Sequence, residues 1–183
     1  MRIVAGSAKG VRLAAVPEGV RPLSDRAREG LFSSLGAELP GARVLDLFAG
    51  TGAMGIEALS RGAEHAVFVD RSHTALAAVH DNLERAHVAE YATVVMSGAL
   101  AFVARAPGET APFHLVFIDP PYEDGPAELD DLMERLDAGW LDPGGWTVVL
   151  TRGRKSSTPV IPLHWSAARE LRYGDSHLHL YRP

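Results

Sequence analysis

The sequence predicts a doubly wound α/β domain: a mostly parallel sheet, helices on both faces, and an antiparallel hairpin at the end. Three observations predict it. From residue 43 onward, short apolar runs alternate with stretches of helical character. A glycine-rich loop follows the first apolar run directly, and two strand-like runs flank Gly174-Asp175 near the end of the chain.

Each element has its own signal. Arg2–Leu13 alternates, with Gly6 and Gly10 as turn candidates, and reads as a small hairpin or arm. Pro17, Gly19 and Pro22 then break the chain. Ser24-Asp25 caps a short helix that ends near Gly36. Strands are expected at 43–47, 65–69, 91–96, 113–118 and 146–150. Helices are expected between them at 53–60, 73–86, 99–104 and 129–136. Runs 166–173 and 177–181 form the closing hairpin. The chain divides into an arm, residues 1–22, and one domain, residues 23–183.

Composition sets the outer limits. The chain has 183 residues, 46% hydrophobic and 22% charged, which is enough apolar material for one buried core and excludes a disordered or fibrous protein. No apolar stretch approaches the ~20 residues that span a bilayer, and Met1–Gly6 lacks the apolar core of a signal peptide. A soluble, cytoplasmic protein is the expectation. There is no cysteine, so disulfides, thiolate metal sites and a cysteine nucleophile are excluded. The net charge is −5, yet residues 1–30 carry six basic groups against three acids. A positive arm on a negative body suits a polyanionic partner.

The first strand ends in Asp46-Leu47-Phe48-Ala49-Gly50-Thr51-Gly52-Ala53-Met54-Gly55, and a helix follows. Glycines there let the backbone approach a ligand, and the helix start offers unpaired N–H groups. Gly-x-Gly-x-x-Gly also fits a dinucleotide fold, and Asp70 after the second strand suits the ribose of either ligand class. Asp46 favours S-adenosylmethionine, because a second carboxylate beside the loop repels a pyrophosphate and attracts a cationic ligand.

The fourth strand runs into Asp119-Pro120-Pro121-Tyr122. This tetrapeptide suits methyl transfer to a planar exocyclic amine, whose delocalised lone pair makes it a poor nucleophile. The Asp119 carboxylate and the Pro120 carbonyl can accept its two N–H bonds and stabilise the positive charge that develops. Pro121 stiffens the turn, and Tyr122 offers a face on which an extruded base stacks.

These residues resemble those of class I S-adenosylmethionine-dependent methyltransferases, and more narrowly the bacterial 16S rRNA guanine-N2 methyltransferases of the RsmD type. The narrower likeness rests on Arg2–Gly6, Lys9–Leu13 and Arg21–Glu29, together with Asp46–Gly55, Glu57–Ala63 and Asp119–Tyr122. It implies a seven-stranded Rossmann-like sheet and methylation of guanine 966 in 16S rRNA within the small (30S) subunit. By this resemblance Asp46, Phe48, Ala49, Gly50, Thr51, Gly52, Asp70, Arg71, Gly98 and Ala99 hold the cofactor, the last two through backbone. Asp119, Pro120, Pro121 and Tyr122 handle the guanine. Arg2, Lys9, Arg12, Arg21, Arg26 and Arg28 touch RNA, and the protein works as a monomer without a membrane partner.

Other residues read as structural. His73, His80 and His87 recur every seven residues, and one such step rises ~10.5 Å along a helix, too far for one metal ion. His177 and His179 share a strand face, but the sequence shows no third ligand, so no metal is expected. The acids between Glu123 and Asp137 read as a solvated helix face, Arg152, Arg154 and Lys155 as a loop within reach of phosphate, and Trp140, Trp146 and Trp165 as packing.

Overall fold

A computed structural model describes residues 1–14, 23–108, 111–121 and 126–183. Its helices are α1 (Asp25–Leu35), α2 (Ala53–Ser60), α3 (His73–Ala86), α4 (Ala99–Val103) and α5 (Pro126–Asp137). Its strands are β1 (Arg43–Leu47), β2 (His65–Asp70), β3 (Ala92–Met96), β4 (Leu115–Ile118), β5 (Thr147–Gly153), β6 (Ser166–Tyr173) and β7 (Ser176–Arg182). They form one seven-stranded sheet in the order β3-β2-β1-β4-β5-β7-β6. The first five strands are parallel, and β7 pairs antiparallel with both β5 and β6.

Alternation along the strands builds two apolar layers. Val44, Phe68, Leu115, Phe117 and Val149 face α1, α2 and α3. Leu45, Leu47, Val67, Val69, Val116, Ile118 and Leu150 face α4 and α5. Covered on both faces, β1 and β4 are buried almost throughout, which is why they read as unbroken apolar runs. The chain runs from β1 outward to β3 and returns to β4 on the other side of β1. The crevice at the carboxyl ends of β1 and β4 is therefore the topological switch point.

Local chemistry sets the helix boundaries. Ser24 and Ser72 cap α1 and α3, accepting from the N–H groups of Ala27 and Ala75. Helix α2 is buried along its whole length, although Glu57 and Ser60 lie on it. The N-terminal arm explains this. It folds into a hairpin bridged at Arg2 and Arg12, and it lies over α2. Glu57 accepts from the N–H groups of Val4 and Ala5 at 2.7 and 3.0 Å, and Ser60 Oγ accepts from Ala8 at 2.9 Å. Ile3, Ala8 and Leu13 enter the same apolar layer as α1 and α2. Gly6 is indispensable here, because a Cβ would lie 1.7 Å from the Ser60 carbonyl oxygen.

Three expected boundaries move by two residues or more. Strand β4 starts at Leu115, because Phe113 is spent on an isolated bridge to Leu141. Strand β5 continues to Gly153, because β7 supplies partners beyond the tip of β4. Helix α5 begins at Pro126, a residue whose fixed φ suits a first turn. No helix among the described residues is long and apolar enough to cross a membrane.

Candidate active site

The loop after β1 is held in a backbone conformation that glycine makes possible. Gly50 and Gly52 have φ of +56° and +74°, and Phe48 adopts +60° as well, a strained value for a bulky side chain. Backbone and buried side chains hold the strain in place. The Ala49 N–H donates to the Val69 carbonyl at 3.1 Å, and the Gly52 N–H donates to the Ala49 carbonyl at 2.7 Å. Asn82, fully buried in α3, donates to the Thr51 carbonyl at 2.8 Å. Asp70 Oδ2 accepts from the Gly50 N–H at 2.9 Å, while its Oδ1 accepts from the Ser72 N–H at 2.8 Å. Asp70 thus joins the tip of β2 to the glycine loop.

Asp46 lies one strand over and is 2% exposed. Its Oδ2 accepts from the Gly55 N–H at 2.9 Å, which ties β1 to the first turn of α2. Gly55 permits that approach, because a Cβ there would come within 2.4 Å of the Phe68 ring. Burial pushes the Asp46 carboxyl up to about 8, against the pull of the Gly55 N–H, and the charges of Asp119 and Asp70 raise it further.

Asp119 follows β4, whose Ile118 pairs with Leu47 of β1. Burial pushes its carboxyl up to about 6, and a hydrogen bond from the Thr151 side chain pulls the other way. Pro120 is buried and Pro121 exposed. The structure therefore brings Asp46, Asp70 and Asp119 to adjoining strands around the glycine loop. Gly98 and Ala99 lie at the start of α4, just after Ser97, whose N–H donates to the Asp70 carbonyl at 3.0 Å, so they border the same end of the sheet. Arg71 is exposed beside Asp70. Tyr122 lies outside the described residues, as does Arg21.

The basic residues of the arm separate into two groups. Lys9 and Arg26 are exposed, as are Arg2 and Arg12, which face each other across the hairpin bridge. Arg28 corrects the expectation that it touches RNA: it is 1% exposed. Its Nη2 donates to Asp25 and to the Arg2 carbonyl, each at 2.6 Å, and its Nη1 lies 3.7 Å from Glu57. Arg28 fastens the arm to α1 and α2 and cannot reach a phosphate.

Sequence reasoning passes over Asn82 and Thr151. Asn82 also accepts from the Ala14 N–H at 2.7 Å, so one amide links the arm to the glycine loop. Its signal is a polar residue on the apolar stripe of Val79, Leu83 and Ala86. Thr151 lies one residue past Leu150, the partner of Ile118, and so falls opposite Asp119 once the parallel register is known.

The arrangement can hold a cationic ligand. The backbone beside Gly50 and Gly98 is open, since a Cβ on Gly50 would meet only the Phe48 carbonyl oxygen at 3.9 Å and one on Gly98 would meet nothing within 4 Å. Three carboxyl groups converge on the crevice, and the charges of Asp119 and Asp70 raise the proton affinity of Asp46. A positive ligand relieves that repulsion and a pyrophosphate worsens it.

Comparison with known proteins shows the family. Residues 1–182 match the family described as Conserved hypothetical protein 95. The chain is 36% identical to ribosomal RNA small subunit methyltransferase D of Escherichia coli (strain K12), covering 100% of this chain and 89% of that one. The solved structure of the Escherichia coli protein yhhF superposes with a TM-score of 0.87 at 33% identity, covering 100% of this chain and 97% of that chain. A hypothetical protein of Thermus thermophilus superposes with a TM-score of 0.82 at 32% identity, covering 98% of each chain. With a class I methyltransferase sheet, a glycine loop at its switch point and full-length identity of this order, the chain belongs to the ribosomal RNA small subunit methyltransferase D family.

Proposed function

We propose that this protein methylates the exocyclic N2 of a guanine in 16S rRNA of the small ribosomal subunit, using S-adenosylmethionine. By the family resemblance the guanine is position 966. The observation that carries the reading is the convergence of Asp46, Asp70 and Asp119 on one crevice beside an open glycine loop. A ribosomal substrate implies an enzyme of the cytoplasm.

The residues divide the work. Backbone groups of Phe48–Gly52 and the carboxylate of Asp70 bind and orient the cofactor, and Gly98 and Ala99 border its adenine through backbone. Asp46 faces the cationic part of the ligand, whose arrival favours the ionised carboxylate. When bound, S-adenosylmethionine supplies an electrophilic methyl group, so no protein nucleophile is needed. Asp119 and the Pro120 carbonyl accept the two N–H bonds of the guanine amine and hold its nitrogen in line with the methyl. With its carboxyl at about 6, Asp119 is ionised at neutral pH and close enough to the working range to accept the released proton. Tyr122 stacks on the flipped base. Arg2, Lys9, Arg12 and Arg26, with Arg21, contact phosphates and set the register of the RNA.

The test incubates labelled S-adenosylmethionine with small subunits, naked rRNA and DNA, then digests each product to nucleosides. Label in N2-methylguanosine from small subunits is the expected result. Label in N6-methyladenosine would replace the substrate while keeping the site, and no label from any of the three would overturn the reading.

A further inference from the structure

The sequence shows His177 and His179 on one face of a strand without a partner. The antiparallel register supplies one. Glu170 of β6 lies directly across from His179 of β7, and Arg172 lies across from His177. The glutamate thereby joins both imidazoles on the sheet face that also carries Tyr181. One ligand atom from each of the three residues lies within 4.8 Å of the others. His177 Nδ1 is 3.0 Å from Glu170 Oε1, and the rings of His177 and His179 have centroids 6.4 Å apart.

We propose that Glu170, His177 and His179 form a binding site for one divalent transition metal ion of the zinc class. Two imidazoles and one carboxylate are a donor set that zinc accepts, and a solvent molecule completes a tetrahedron. Bonds of about 2.0–2.2 Å place tetrahedral ligand atoms roughly 3.3 Å apart. The metal thus fits between His177 and Glu170 with a small opening of that contact, and His179 closes in by side-chain rotation. The three residues sit on two hydrogen-bonded strands, so the backbone need not move.

The surroundings fit such a site and moderate it. Arg172 donates to both oxygens of Glu170, at 3.1 and 2.9 Å, and fixes the carboxylate's orientation. The positive charges of Arg172 and of Arg152, which pairs with His177 from β5, oppose the ion. Moderate affinity, below that of a structural zinc site, is the consequence. A bound ion would staple β6 to β7 beside the strand that carries Thr151.

The test titrates the tag-free full chain with zinc by calorimetry and with cobalt by visible absorption. One ion per chain, and cobalt bands of tetrahedral intensity, are expected. His177→Ala and His179→Ala should each weaken zinc by more than about tenfold, and Glu170→Gln by about tenfold, whereas His80→Ala on α3 should leave it unchanged. In the unaltered protein, zinc should selectively shift the imidazole proton resonances of His177 and His179, a readout that needs no variant. Zinc affinity indifferent to His179→Ala, or imidazole shifts confined to other histidines, would overturn the proposal. Neither result bears on methyl transfer, which is scored separately with labelled cofactor.

Discussion

Asp119 carries two physical demands that pull against each other. In the proposed mechanism it must be buried to make its hold on a guanine amine strong, and it must be ionised to accept that amine's protons. The Thr151 hydroxyl reconciles them by hydrogen bonding to the carboxylate. Asp119→Asn should cost at least ~100-fold in methyl transfer, the range seen when one preorganised polar group facing a developing charge is removed. Its calorimetric affinity for S-adenosylmethionine should stay within a few-fold of wild type. Thr151→Val should raise the Asp119 carboxyl above its present value of about 6, moving the acid limb of the pH–rate profile to higher pH. Thr151→Ser should restore the limb, which a purely steric role would not do. Asp46 makes a prediction of opposite kind. Its folded carboxyl is raised to about 8 from 3.8, so between those values the folded protein holds a proton that the unfolded chain releases. Stability from this group is full below 3.8 and is lost as the pH rises through about 8. Without cofactor, the Tm of wild type relative to Asp46→Asn should therefore fall as the pH is raised from 3.8 to about 8, read by thermal melts across that range.

At the scale of elements, the glycine loop is braced from behind. Asn82 holds Thr51 with one end of its amide and Ala14 with the other, and Glu57 takes two N–H groups of the arm together with Arg28 and Arg61. Replacing Glu57 by Ala leaves the Arg28 charge short of a buried partner and should cost about 3–5 kcal/mol in chemical denaturation. These same interactions show what sequence can and cannot convey. The periods of β1, α2, α3 and β7 are legible because each has one or two faces buried against the sheet or its helices. Helices α2 and α3 begin and end where their caps and glycines say they do. Asp46, Asp70 and Asp119 are legible because each lies at or near the end of a strand, and strand ends on one side of a parallel sheet share one crevice. Arg28 misleads because charge pattern reports which residues are ionic, not which are enclosed; only the fold of the arm over α2 puts Glu57 beside it. Glu170 escapes for a related reason, since hairpin register depends on the turn at Gly174 and on a bulge between Ala167 and Arg169.

Across the whole molecule, charge is arranged as a positive arm on an acidic body, with Arg2, Lys9, Arg12 and Arg26 on the outer side of the arm and of α1. Binding to small subunits should weaken with salt. Each Ala substitution at these four positions should reduce the magnitude of the log–log slope by about 0.7–0.9 for every phosphate it no longer neutralises. Arg28→Lys, which keeps a cation inside, should leave the slope unchanged, measured by filter binding over a salt series.

The pairing of Leu47 with Ile118 has a consequence for how such a protein can change. The separation between the strand ends that carry the glycine loop and Asp119 is one strand spacing, about 4.8 Å, and is inherited from backbone hydrogen bonds rather than from any side chain. Inserting a single residue upstream of either loop would turn its aspartate toward the opposite layer of helices. Variation is free to accumulate at the amino ends of these strands, but β1 and β4 must lengthen or shorten together or not at all.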